Sequence, residues 1–172
     1  MAEKVTAKTT KTETTKKIDI DNLNLDAKIT VINLAGWGVG FERLHDGTGA
    51  VSIAPNGKQR LSRNEVQAQI NNNNKLFTGT DGRGSHATIF IDDEATRLLV
   101  GFDDEDGTRQ RIYSDNVAKK LFEMNFDLFE NAVYEYIQTR AEKNALMESI
   151  RRLGLNDYRK IVFVENFTGY KL

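Results

Sequence analysis

Cysteine is absent from this chain. Its absence excludes disulfide staples, thiolate nucleophiles and zinc sites built on sulfur, and it suits a reducing cytosol. Proline occurs once in 172 residues, which argues against proline-rich linkers and polyproline ligand motifs. No apolar run approaches the roughly 20 residues a membrane-spanning helix needs. The opening residues are too polar for the apolar core of a secretory signal. An excess of one charge is missing too: the formal net charge is −1, so no global field draws the protein to nucleic acid or anionic membranes. Histidine is scarce, with only His45 and His86.

What is present suits one domain behind a tail. Residues 1–17 hold six Thr, five Lys and two Glu, with Val5 the only large apolar residue after the initiator. Such a segment cannot bury enough surface to offset its ordering entropy, so it reads as a flexible tail. Its lysines, Lys8, Lys11, Lys16 and Lys17 among them, leave it at +3 against Glu3 and Glu13. The Arg and aromatic residues that would stack on nucleic acid are lacking. A plain linker is the bland reading. The functional one is an extended arm whose backbone adds to the edge of a neighbouring subunit's sheet.

Residues 18–113 read as a β-rich domain, and 114–172 as a helical region packed on it with a terminal strand. Ile18, Ile20, Leu23 and Leu25 open with short alternation. Apolar alternation then recurs in Lys28–Leu34, Trp37–Leu44, Ala50–Ala54 and Lys58–Leu61, with Asp46-Gly47 and Asn56-Gly57 as turn signals. Ser62-Arg63-Asn64-Glu65 has the pattern of a capping box and predicts a helix ending in the Asn71–Asn74 run. His86–Ile91 predicts a strand and Arg109–Tyr113 a further one; Asp93–Val100 reads as a short helix stopped by Gly101, with a strand as the alternative that Leu98, Leu99 and Val100 leave open. Ser114 predicts the cap of a helix carrying Val117, Leu121, Phe122 and Met124. From Asp127 to Leu153 apolar residues recur at three- and four-residue steps, which predicts one helix of about 25 residues, roughly 37 Å long, stopped by Gly154. Ile161–Val164 predicts a strand. The expected fold is therefore α+β. An N-terminal β-meander or small barrel-like sheet with short helices precedes a C-terminal helical pair, which includes one long helix and a final strand.

The candidate chemistry is thin. Gly79-Thr80-Asp81-Gly82-Arg83-Gly84-Ser85 is glycine-rich, but a phosphate-binding loop needs Lys and then Ser or Thr opening a helix. Here Ser85-His86 opens a predicted strand, so a plain loop is expected. Seven acids in Asp92–Asp106 stand against Arg97. With Gly107 at the sixth calcium-loop position, positions one and twelve fall on Phe102 and Tyr113, and the pattern fails. A solvated acidic face follows, with pairing to a basic partner as its functional counterpart. Neither histidine has a nucleophile and an orienting acid placed for it by sequence, and Ser85 and Asp81 share a loop with His86, which rarely builds a triad. No catalytic residue, metal ligand or cofactor is predicted, and no constellation supports a hydrolase or transferase.

Gly36-Trp37-Gly38-Val39-Gly40 points to a tightly curved strand or to a place where another backbone approaches. Together with the Lys/Thr tail and the stretch Pro55–Arg63, it resembles small accessory virion proteins of tailed bacteriophages, a likeness covering residues 1–100. The resemblance implies a role in assembly and a location in a virion or in the cytoplasm of a bacterial host. The expected function is that of a non-enzymatic structural component of a multi-subunit particle. Its expected partners are other protein subunits of the assembly, a second copy of itself being one candidate, with nucleic acid a lesser candidate and no membrane. Trp37 and Phe41 on the β side and Tyr134, Tyr136 and Arg140 on the long helix are the expected contact residues. The alternative is a nucleic-acid-binding regulator in which the helix and strand of residues 62–91 act as helix and wing, with Arg60, Arg63 and Arg83 meeting phosphate.

Overall fold

The computed structural model describes residues 18–108 and 110–172. The Lys/Thr tail, with Lys8, Lys11, Lys16 and Lys17, lies outside them, as does Arg109. Residues 18–27 form turns rather than the expected alternating strand.

The chain order is β1 (Lys28–Asn33), β2 (Val39–Glu42), β3 (Ala50–Ile53), β4 (Lys58–Ser62), α1 (Arg63–Asn71), α2 (Lys75–Thr78), β5 (Ile89–Ile91), α3 (Glu94–Leu99), β6 (Asp103–Asp104), β7 (Gly107–Thr108), α4 (Asp115–Glu123), α5 (Phe126–Tyr136), α6 (Arg140–Leu153) and α7 (Tyr158–Thr168). The mixed α+β class, with small antiparallel sheets first and helices after, is as expected. A barrel is not formed: among the described residues there are three separate sheets, β4-β1-β5, β2-β3 and β6-β7. In the first, β1 is central and antiparallel to both neighbours, with Ile29 opposite Leu61 and Val31 opposite both Gln59 and Ile91.

Two apolar cores result. Strand alternation sends Ile29, Val31, Val39, Phe41, Val51 and Ile53 inward, where Val66 of α1 and Phe77 of α2 close over them. Phe41 and Phe77 meet edge to face at 5.1 Å. The second core is helical: Leu121, Phe129, Val133, Ile137, Leu146, Met147, Ile150 and Val164 are buried together. Ala141 of α6 belongs to the first core, so the helices sit directly on the β-rich part.

Three expected elements are corrected. The long helix is two helices, α5 and α6, because Thr139 and Glu142 form a reciprocal capping box that starts a new helix. Ile137 leaves the helical region at φ −119° and ψ 87° and drops into the core at the break. The terminal strand is helix α7: Asp157 caps its start, Gly169 ends it in the left-handed region, and Val164 faces inward. A four-residue apolar run such as Ile161–Val164 does not by its length separate strand from helix. Residues 110–113 form no strand; their backbone is tied to Ser85 and His86 instead, through Arg111. The expected strand from His86 is also shorter, starting at Ile89. By contrast, α3 is bounded as expected, with Asp93 as its cap and Gly101 at φ 72° after it.

The box expected at Ser62 is only half made. Ser62 does accept from the Glu65 N–H at 3.0 Å. The Glu65 carboxylate instead turns to the β2–β3 turn and accepts from the N–H groups of Leu44, His45 and Asp46. Asp46 takes the vacated role: its Oδ2 accepts from the Ser62 N–H at 3.0 Å and from Lys28 Nζ at 2.6 Å, and its Oδ1 from the Ser62 hydroxyl.

Candidate functional site

One place where titratable side chains from distant stretches converge begins with the glycine-rich loop. At Gly79 the backbone takes φ 64°, and a Cβ there would lie 2.0 Å from the Ser85 carbonyl oxygen, so only glycine fits. The loop winds around Asp81, whose Oδ1 accepts from the Arg83 and Ser85 N–H groups at 2.7 and 3.1 Å. Burial alone would raise the Asp81 carboxyl. The Ser85 hydroxyl and those two N–H groups outweigh it and hold Asp81 below the usual carboxylate range.

This winding places His86 at φ 58°, with its N–H donating to the Arg111 carbonyl at 2.8 Å. The His86 Nδ1 then meets Glu142 Oε1 at 2.7 Å, across 56 positions of sequence, with both side chains almost fully buried. The other Glu142 oxygen accepts from the N–H groups of Gln138 and Thr139, at 2.8 and 3.0 Å. The pair is a hydrogen bond whose donor is set by the imidazole tautomer, and Nε2 is the ring nitrogen outside it. Beside the pair lies a cleft of about 500 Å³ lined by Thr80, Asp81, Ser85, His86, Arg111 and Gln138.

An imidazole oriented by a carboxylate beside a cleft is one half of an acid–base apparatus. The neighbouring hydroxyl does not supply the other half: Ser85 accepts from the Arg111 N–H at 3.2 Å and serves Asp81. Among the described residues no group of three or more His, Asp or Glu is placed to hold a metal ion. In this geometry the pair fastens the loop before β5 to the first turn of α6. Sequence reasoning missed Glu142, although Thr139-Arg140-Ala141-Glu142 carries a capping-box signature that would have located it.

A second feature gathers most of the expected contact residues. Asn33, wholly buried, donates to the carbonyls of Trp37 and Ala54 at 2.7 and 2.9 Å and accepts from the Ala35 N–H. That clip fixes the bend carrying Trp37. Gly36 leaves room there for Asn144 of α6, whose amide nitrogen would lie 2.1 Å from a Cβ. The Arg140 guanidinium lies over the Trp37 ring at 5.1 Å and reaches the Tyr170 hydroxyl at 3.4 Å. Next along, the Lys143 ammonium stands 4.3 Å from the Phe167 ring centre. Phe167 in turn meets Tyr134 edge on at 5.1 Å. Trp37, Arg140, Tyr170, Lys143, Phe167 and Tyr134 thus form one aromatic and cationic strip, with Tyr134 59% exposed. Tyr136 lies apart from this chain of contacts, under the Arg111 guanidinium at 5.6 Å. Phe41 is in the first core and presents no contact surface.

The arginines of the nucleic-acid reading are placed differently from one another. Arg63 lies half-buried against α3, bonded to Asp93 at 3.1 Å and to the Thr96 hydroxyl at 3.0 Å. Arg60 donates to the Lys28 carbonyl at 2.8 Å, and Arg83 is exposed on the loop. No helix among the described residues is long and apolar enough to cross a membrane. Comparison with family models, curated proteins and solved structures finds no match to this chain.

Proposed function

We propose that this chain is a non-enzymatic structural component of a multi-subunit particle, docking on neighbouring protein subunits through the Trp37–Arg140–Tyr134 strip. The strip itself carries the reading. Trp, Tyr and Arg are the residue types that concentrate binding energy at protein interfaces. Here three of them are presented on a rigid base: Trp37 is fixed by the Asn33 clip, Arg140 by the start of α6, and Tyr134 by the rings of α7. Apolar surface elsewhere adds to it, with Leu128 58% and Tyr158 80% exposed. The particle is read as a bacteriophage virion on the resemblance of residues 1–100, and the N-terminal arm would extend along a neighbour.

The test is a photo-crosslinking amino acid in place of Tyr134, in cells that make the protein. The expected result is one defined protein adduct in a fast-sedimenting fraction. A chain that sediments alone and gives no adduct would overturn the reading.

An acid–base site is the second reading, favoured by the buried His86–Glu142 pair beside its cleft. It predicts that His86→Gln keeps the fold but abolishes turnover of some small polar substrate. Binding of the unaltered protein to its neighbours, with no loss in that variant, would go against it.

A further inference from the structure

The strip carries two cations that no carboxylate among the described residues neutralises. Arg140 is held by a ring and a hydroxyl, and Lys143 by the Phe167 ring and carbonyl. They sit on an aromatic floor, and an occupant should therefore bring exposed carboxylates. The same chain has such a surface. Asp92 follows β5, and Asp106 lies at the tip of the β6–β7 hairpin; both are exposed, and neither has a cationic partner among the described residues. The acids around them are already used inside the molecule: Asp93 holds Arg63 and caps α3, and Asp103 holds Arg97 at 2.6 Å. That internal pairing makes the corner rigid.

Among the described residues no ion pair joins Asp92 or Asp106 to Arg140 or Lys143 within one copy. The Asp92 N–H donates to the Thr30 carbonyl near the start of β1, whereas Trp37 lies beyond the end of that strand. Six residues separate Thr30 from Trp37, and the three of them still in β1 already span about 10 Å at ~3.3 Å per residue. The net charge of −1 leaves no global repulsion between copies.

We infer that the aromatic and cationic strip of one copy receives the acidic Asp92–Asp106 corner of a second copy of this chain. The inference rests on the docking role proposed above and names the partner. The contact joins two different patches, so it is head-to-tail: each copy keeps one free strip and one free corner, and the assembly closes into a ring or grows as a filament. Long-range attraction between the patches speeds encounter and fades as salt screens it.

Sedimentation velocity on the purified full chain, over a concentration series at about 50 mM and about 500 mM salt, tests this. Wild type should self-associate, more weakly at high salt. R140E/K143E and D92K/D106K should each weaken association at least about tenfold, and an equimolar mixture of the two should recover it, since each supplies the complement of the other's altered patch. If a reversal unfolds the chain, R140Q/K143Q and D92N/D106N remove charge without reversing it and take its place. A wild-type chain that stays monomeric at every concentration overturns the inference, as does association that either variant leaves unchanged. In the first case a Tyr134 adduct to a different protein would leave the docking role standing. Loss of association in the strip variant alone would likewise keep that role and exclude the acidic corner.

Discussion

Glu65 and Phe129 hold corresponding places in the two parts of the molecule, each fully buried where several elements meet. Around Glu65 the ties are polar. Its carboxylate gathers three consecutive N–H groups of the β2–β3 turn. Gln69 donates to it at 2.7 Å and to the Glu42 carbonyl at 2.6 Å, and Gln69 in turn accepts from Asn74. Around Phe129 the ties are rings: Phe122 at 5.4 Å, Phe163 at 5.7 Å and Phe126 at 6.1 Å. The buried charge over its ring, Lys160, donates to the carbonyls of Phe122 and Met124, where α4 ends, at 2.6 and 2.7 Å. The β-rich part has an apolar core of its own and adds to it satisfied polar groups that also specify geometry. Four packed helices have area enough to rely on close-packed side chains.

Acid should separate the two parts most. Burial raises the carboxyls of Asp46, Glu65 and Asp93. Lys28 and Ser62 outweigh it for Asp46, the Asp46, Leu44 and His45 N–H groups with Gln69 for Glu65, and Thr96 with Arg63 for Asp93. All three end below their ordinary values. Each therefore lends stability that is complete above the unfolded carboxylate range, near pH 4, and is lost as the pH falls through that range toward the folded value. The lowered carboxyls of the helical part, Asp115, Asp157 and Glu165, act at or near the surface and contribute little. Amide exchange from pH 6 downward should show protection failing first in β1–β4 and α1. Simultaneous loss in α5–α7 would erase the distinction.

Substitutions should follow in decreasing order. Phe129→Ala removes the centre of the ring cluster and should cost about 3–5 kcal/mol, read by chemical denaturation. Glu65→Gln keeps the shape but cannot serve three N–H donors, and should cost about 1–3 kcal/mol. Its signature is loosened exchange at residues 44–46, with the helical part unchanged. Thr139→Ala removes half of the box at the start of α6, a loss of about 1 kcal/mol. It should also disturb the His86 ring resonances through Glu142, which a purely local helix effect would not do. Arg140→Ala, at the seam between the two parts, should cost about 0.5–1 kcal/mol through the lost Trp37 contact, visible as a Trp37 fluorescence shift.

Much of this was open to local reading. The caps at Ser62 and Asp93, the stop at Gly154, and the alternation of Ile29 and Val31 depend on residues within a few positions of each other. Where two local signals competed, as at Ile137–Glu142, the longer apolar period hid the shorter capping pattern. The run Ile161–Val164 carried no local signal that chooses between strand and helix. Of the five expected contact residues, Trp37, Tyr134 and Arg140 lie on one strip, but their types alone could not show that Arg140 covers Trp37 or that Phe41 is buried.

Composition and short-range chemistry were enough to establish an α+β chain with no thiol chemistry, its caps and its turns, because backbone hydrogen bonding and side-chain sterics act over three or four residues. The partner of Glu65, the meeting of His86 with Glu142 and the path of the aromatic strip were decided only in three dimensions. Each joins residues some 20 to 56 positions apart or more, and such contacts form only after loop closure has brought those stretches together.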